Sequence, residues 1–291
     1  MTDDPFVTHR SLLFTVAYEM LGSAADADDV VQEAWLRWAD VDQSEVWDPR
    51  AYLVRIVTRK ALDRLRTLSR RREEYVGEWL PEPLLTSPDV ADDVELAESV
   101  SIAMLTVLET LGPTERAVFV LHEVFEVPYD EIGEAIGKKS ATVRKIADRA
   151  REHVAARRPR MQVSRTQQEE VVERFLAAIR GGNLQDLLDV LAPDVVAIAD
   201  GGGIAPAARK ALVGHDRVGR VLLGLATAAP SAQLSTVWLN GALGARIDID
   251  GTVTAAVGLT VEAGRITRIY AIANPQKLAR LGGEALLSRA H

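Results

Sequence analysis

The 291-residue sequence predicts a multidomain chain: two all-α domains, the second a helix-turn-helix, followed by an α+β domain. Three observations carry that expectation. Residues 6–72 and 94–158 repeat apolar positions at the helical period and nowhere alternate as strands do. Between them, 73–93 loses periodicity amid acidic residues and Pro81, Pro83 and Pro88, as a linker does. Beyond about residue 193 the pattern becomes alternating, and Asn240-Gly241, Asp250-Gly251 and Ala263-Gly264 separate the later stretches as hairpin turns do.

Composition excludes several function classes. At 47% hydrophobic and 26% charged residues the chain has ordinary globular composition and enough apolar side chains for real cores. With no cysteine there is no disulfide framework, thiolate metal site or thiol nucleophile. The five histidines never take metal spacing, and His122-Glu123 lacks the second histidine of a zinc-protease motif, so neither metal nor cofactor is expected. No apolar run approaches the ~18 to 20 residues of a membrane span. Asp3-Asp4 stand where a signal peptide carries basic residues. A cytoplasmic protein with no membrane partner is expected.

The net charge of -8, read as an average, argues against nucleic acid. Resolved along the chain it does not. Residues 55–72 carry 8 basic against 1 acidic residue and 138–165 carry 10 against 2, while 1–54 and 73–137 are strongly acidic and 166–291 is balanced. Both basic blocks fall on helical patterns, where they suit phosphate neutralisation; two solvated helix faces are the bland alternative.

Within 6–72 the breaks Gly22-Ser23 and Asp48-Pro49 suggest three or four helices. On the helix beginning at Asp26, Ala27, Val30, Val31, Ala34 and Trp38 form the buried stripe. Asp29, Gln32, Glu33 and Leu36 share the opposite face, and a large apolar residue within an acidic rim reads as a protein-docking patch. On the helix after Pro49, Val54, Val57, Thr58, Ala61 and Leu65 form one arc and Tyr52, Arg55, Arg59 and Arg66 another. That second arc suits phosphate contact plus stacking on an exposed base.

The most specific local pattern runs from Val127 to Val154. Tyr129, Ile132, Ala135 and Ile136 give one short helix its buried side, Gly137 permits a sharp turn, and Ser140 suits an N-cap. Val143, Ile146, Ala147, Ala150 and Val154 back the second helix. Thr142, Arg144, Lys145 and Arg149 lie opposite or beside them, where a recognition helix carries groove contacts. After Pro159, residues 166–191 read as helix and five strands follow at about 193–199, 233–239, 243–249, 252–262 and 265–273. Asp200, His215 and Asp216 are candidates for a general base, but their turn and helix-start contexts favour structural or interdomain contact.

These elements, in this order, resemble the extracytoplasmic-function class of the sigma-70 family of RNA polymerase sigma factors. Residues 26–38 (DADDVVQEAWLRW) are similar to the polymerase-clamp-binding helix, Trp47 to Arg66 (WDPRAYLVRIVTRKALDRLR) to the helix that melts and reads the minus-10 promoter element, and 127–151 to the minus-35 helix-turn-helix. The rest of the chain resembles the subgroup with a C-terminal SnoaL-like domain. Its linker motif is Trp79-Leu80-Pro81-Glu82-Pro83. Its glycine motif is Asp200-Gly201-Gly202-Gly203, with Ile204 where the motif has lysine, and its third motif is Asn274-Pro275-Gln276-Lys277-Leu278, with Gln276 where the motif has aspartate.

The resemblance implies four parts: a sigma region 2 domain at 1–72, the acidic linker at 73–93, a region 4 domain at 94–160, and a cone-shaped, barrel-like SnoaL-like domain at 161–291. It implies core polymerase contacts at Asp29, Gln32, Glu33 and Leu36; minus-10 contacts at Trp47, Arg50, Tyr52, Arg55, Arg59 and Arg66; and minus-35 contacts at Ser140, Thr142, Arg144, Lys145 and Arg149. The three C-terminal and linker motifs are implied to carry interdomain regulation in cis, without a conventional anti-sigma factor; an unknown small ligand in the C-terminal pocket is a further partner. The chain is then no enzyme, since catalysis belongs to the polymerase. Two other readings remain at this point: a one-component helix-turn-helix regulator with a ligand-binding C-terminal pocket, which leaves the docking and melting helices without a role, and an isomerase-type enzyme fused to a DNA-binding module.

Overall fold

The computed structural model describes residues 4–72, 74–158 and 164–289. Helix α1 (Pro5–Leu21) starts where the Asp4 carboxylate accepts from the Phe6 N–H, and stops at Gly22, whose left-handed backbone (φ 66°) returns its N–H to the Tyr18 carbonyl. Ser23 caps α2 (Ala24–Ala39) by accepting from the Asp26 N–H. A 3₁₀ turn (Gln43–Glu45) then leads to α3 (Pro49–Arg72). Trp38, fully buried at the end of α2, donates its indole N–H to Asp4, tying α2 to the cap of α1.

The expected linker is ordered chain. Leu80 to Leu84 are buried, and Pro88–Asp92 forms the short helix α4. Helices α5 (Val94–Val100), α6 (Ile102–Leu108), α7 (Pro113–Phe119), α8 (Tyr129–Ile136) and α9 (Ser140–Ala155) follow, α7 running into a π-helical turn at Val120–Val124. The two all-α units share a single core. Leu12, Val16, Leu53 and Val57 belong to the same apolar cluster as Leu105, Leu121, Ile132 and Ile146.

The third unit opens with α10 (Arg165–Gly181) and α11 (Leu184–Val190), because Gly182 breaks what reads as one helix. Strand β1 (Leu191–Asp200), the two-residue β2 (Leu212–Val213), α12 (His215–Ala228), strands β3 (Gln233–Leu239), β4 (Ala242–Ile249), β5 (Thr252–Glu262) and β6 (Arg265–Ile272), and α13 (Pro275–Leu278) complete it. The sheet order is β2-β1-β6-β5-β4-β3, with β1 and β6 parallel and the other pairs antiparallel.

The expected barrel does not close. β2 is too short to reach round to β3, and the β3 edge is occupied instead by the linker: Leu85 bridges Leu239, and the Thr86 N–H donates to the Trp238 carbonyl at 3.1 Å. One sheet face, with Leu243, Ala245, Val257, Leu259 and Ile269, packs on Val172, Phe175 and Leu176 of α10. The other, with Ala256, Tyr270 and Ile272, packs on Leu80 of the linker and Ile102 of α6. Gly258 permits that approach, since a Cβ there would lie 2.9 Å from the Ile102 side chain. The expected boundary at 160/161 lies outside the described residues.

Candidate functional site

On α2 the stripe Ala27, Val30, Val31, Ala34 and Trp38 is buried, which turns Asp29, Gln32, Glu33 and Leu36 outward. Leu36 is 55% exposed, and Trp35, 45% exposed beside it in the chain, lines a groove with Val7 and Gln32; the helical pattern did not single out Trp35 or Val7. The acidic rim is held by α3: Arg64 pairs with Asp29 at 3.0 Å and Lys60 with Glu33 at 2.8 Å. The face is therefore an apolar patch with a fixed charged border, suited to a protein partner.

On α3, Val54, Val57, Thr58, Ala61 and Leu65 are buried and Tyr52, Arg55, Arg59 and Arg66 stay at least partly exposed, as their arcs require. Trp47 is 98% exposed at the mouth of a groove of about 440 Å³ lined by Tyr52, Arg55, Thr58, Ile132 and Ala135. Arg50 lies half-buried at the start of the helix. The arginines do not form a free stripe. Arg55 stacks on Tyr52 and pairs with Glu134 at 3.1 Å, Arg59 donates to the Glu134 and Ala135 carbonyls at 2.8 and 3.1 Å, and Arg66 pairs with Asp63.

In the helix-turn-helix, Val143, Ile146, Ala147, Ala150 and Val154 are all buried. Thr142, Arg144, Lys145 and Arg149 are exposed along the opposite side, and Arg144 lies over the Tyr129 ring. Gly137 adopts the left-handed turn (φ 69°). The expected Ser140 cap is not formed: Lys139 holds the cap position without a side-chain bond, and Ser140 is the first helical residue.

The motif residues of the linker and the third unit converge on Asp200, whose side chain is fully buried. One carboxylate oxygen accepts from the Tyr75 hydroxyl at 2.7 Å and the Gly202 N–H at 3.0 Å. The other accepts from the Leu80 N–H at 2.9 Å and the Lys277 ammonium at 2.6 Å. Lys277 also donates to the Leu80 carbonyl and sits 4.1 Å above the Trp79 ring, a cation–π contact. Asn274 caps α13 and donates to the Tyr75 hydroxyl at 2.8 Å; Pro275 starts that helix and Leu278 packs beneath it. Gly202 must be glycine, because a Cβ would overlap the Asn274 amide at 2.3 Å, while Gly201 and Gly203 complete the turn. Burial and the neighbouring Asp200 carboxylate push the Tyr75 hydroxyl pKa up. Pattern reading missed Tyr75, a lone tyrosine in an aperiodic segment.

The same linker reaches α2. Pro81, Glu82 and Pro83 are all buried, and at the start of that helix the Glu82 carboxylate accepts from the Ser23 hydroxyl and from the Ala24 and Ala25 N–H groups, the last two at 2.8 and 3.2 Å. Burial raises the Glu82 pKa while these bonds oppose the rise. Asn240, in the β3–β4 turn, was legible only as turn chemistry. It is fully buried, donates to the Tyr18 hydroxyl at 2.6 Å and the Val100 carbonyl at 2.9 Å, and accepts from the Leu84 N–H at 2.9 Å. A buried Glu19 accepts from Ser99, and burial lifts its pKa to about 8; adjacent Arg116, held down to about 9 by burial, donates to the Glu19 backbone carbonyl and pairs with Glu109. His215 and Asp216 start α12 and take no part in the Asp200 cluster, whose carboxylate accepts from four donors.

Among the described residues no helix is long and apolar enough to cross a membrane. The Sigma-70 region 2 family model matches residues 6–71, and Sigma-70, region 4 matches residues 101–154. The ECF RNA polymerase sigma factor SigJ of Mycobacterium tuberculosis is 41% identical over 288 residues, 94% of this chain and 91% of that protein. The probable ECF RNA polymerase sigma factor SigI of the same species is 35% identical over 284 residues, 94% and 95% of the two chains. A crystal structure of the M. tuberculosis extracytoplasmic function sigma factor SigJ superposes with a TM-score of 0.77 at 37% identity, covering 95% of this chain and 98% of that one.

Proposed function

This chain belongs to the extracytoplasmic-function RNA polymerase sigma factors, and on that premise we propose that its α+β domain governs, in cis, how the sigma domains meet polymerase and promoter. Family membership implies binding to core RNA polymerase and promoter DNA. The polymerase contact falls on Asp29, Gln32, Glu33 and Leu36; the minus-10 contact on Trp47, Arg50, Tyr52, Arg55, Arg59 and Arg66; the minus-35 contact on Ser140, Thr142, Arg144, Lys145 and Arg149. Exposure of Leu36, Trp47, Lys145 and Arg149 supports this division. The chain carries no chemical step of its own and works beside the polymerase in the cytoplasm.

The observation that carries cis regulation is the convergence of all three motifs on buried Asp200. Through the Leu80 N–H the carboxylate grips a linker whose Glu82 caps α2, the helix with the polymerase-docking face. Tethering makes that grip intramolecular, with an effective concentration of order mM, so a separate anti-sigma factor is not required. A small ligand would enter beside the glycine turn, where a cleft of about 220 Å³ is lined by Val76, Gly77, Gly201, Pro206 and Arg209. Abortive transcription with core polymerase, comparing the wild type with Lys277→Met, tests the reading. Equal promoter output and equal core affinity across a titration overturn cis regulation and leave the sigma activity itself untouched.

A further inference from the structure

The arginines of α3 are already bound, and what binds them has the chemistry of a phosphate strand. A helix ends with carbonyls that lack intrahelical partners and with the negative end of its dipole. At the end of α8 the Gly133 carbonyl is taken by the Gly137 and Lys138 N–H groups. The next two carbonyls, of Glu134 and Ala135, are taken by the Arg59 guanidinium, and the Glu134 carboxylate takes Arg55. Glu131 and Asp48 line the same groove, with Glu131 facing Asp130, Asp48 and Glu134 from α8 and the α3 approach and Arg50 from α3. A carboxylate-lined wall is hostile to a DNA strand entering beside Tyr52 and Trp47.

Geometry separates this arrangement from one that reads a promoter. Minus-10 and minus-35 elements lie roughly 25 base pairs apart, ~85 Å along the duplex. Here region 2 and the helix-turn-helix touch at hydrogen-bond distance and share one apolar core. Both elements cannot be engaged at once in this state.

We propose that the last turn of α8 is an internal stand-in for the DNA backbone, holding Arg55 and Arg59 and masking the minus-10 surface until the helix-turn-helix swings away. The proposal rests on the reading of Arg55 and Arg59 as minus-10 contacts. It is distinct from the Asp200 grip, because the masking atoms belong to the DNA-binding unit itself. Glu134 is the point at which to perturb it: its side chain is 67% exposed, so its replacement spares the core.

The test uses full-length protein. Glu134→Lys removes the partner of Arg55 and repels it, whereas Glu173→Lys adds the same charge on an exposed site of α10. Fluorescence anisotropy with a short mixed-sequence single-stranded DNA is expected to show about fivefold tighter binding for Glu134→Lys and little change for Glu173→Lys. The native chain has no cysteine, so spin labels at Thr67→Cys and Glu152→Cys, both exposed, report the separation of α3 from α9 without background. The wild type is expected to give one short distance, with a longer population appearing in Glu134→Lys. A wild type already open, or a Glu134→Lys protein with wild-type distances and affinity, overturns the mask. The underlying reading fails separately, if Arg55→Ala with Arg59→Ala leaves promoter melting by assembled holoenzyme unchanged.

Discussion

Replacing Asp200 by asparagine keeps the size of the side chain and removes its charge, which isolates what the carboxylate does for the linker. One amide oxygen can still accept from Tyr75 and Gly202. The amide nitrogen, however, then faces the Leu80 N–H and the Lys277 ammonium, two donors 2.9 and 2.6 Å from the oxygen it replaces. Breaking a buried ion pair from one side costs ~3 to 5 kcal/mol. Lys277 retains the Leu80 carbonyl and the Trp79 ring and its side chain is 12% exposed, so the lower end applies. A change of ~3 kcal/mol in the local opening equilibrium multiplies amide exchange by about a hundred. Native-state hydrogen exchange should therefore show the Leu80 and Glu82 amides exchanging about a hundredfold faster in Asp200→Asn, with the α1 and α3 core amides slowed or speeded far less. If Leu80 exchanges within about threefold of the wild type, the carboxylate and its four donors do not hold the linker.

Burial gives Glu19 a folded-state pKa of about 8 against an ordinary 4.5, so its contribution to stability is complete below 4.5 and is lost as pH rises towards 8. Urea unfolding of the wild type should weaken across that window by up to ~1.4 kcal/mol per pH unit, and Glu19→Gln should flatten the curve; parallel curves would discount the buried carboxyl. Leu36→Asp should weaken core-polymerase association at least tenfold, from ~1.5 kcal/mol or more of lost apolar burial, with an unchanged circular dichroism spectrum. Lys145→Ala should cost ~1 to 3 kcal/mol in minus-35-dependent promoter use, read in transcription assays, while core affinity stays at the wild-type value.

Local rules made much of this legible. Strands β3 and β5 have the bounds their alternation predicts because Asn240-Gly241 and Asp250-Gly251 take the positive-φ turns that hairpins need. The stripes on α2, α3 and α9 are buried as their spacing requires. What sequence spacing could not reveal is non-local. Tyr75 and Asp200 are 125 positions apart, and nothing around the tyrosine marks it as a donor. Periodicity places Arg55 and Arg59 on one arc but is silent on what that partly exposed arc meets, which is the end of α8. The acidic, proline-containing stretch has the composition of a tether, yet it is ordered because it supplies an edge to β3 and a cap to α2. Glu19 and Arg116 look like surface charges on paper, and burial follows only from the packing of α1 against α5 and α7.

Asn240 bears on how the α+β domain should be dissected. Its amide is the partner of the Tyr18 hydroxyl, the Val100 carbonyl and the Leu84 N–H, three groups that belong to the sigma domains and the linker. Deleting the domain strips the Val100 carbonyl and the Leu84 N–H of their Asn240 partner, leaves the Tyr18 hydroxyl only its bond to the Glu82 carbonyl, and uncovers the β3 edge's former partner along with Ile102. A truncated chain is thus a damaged sigma factor as well as an unregulated one, and its loss or gain of activity mixes the two. A point change at Glu134 avoids that mixture, because it alters a contact of α8 with α3 through a side chain that is 67% exposed.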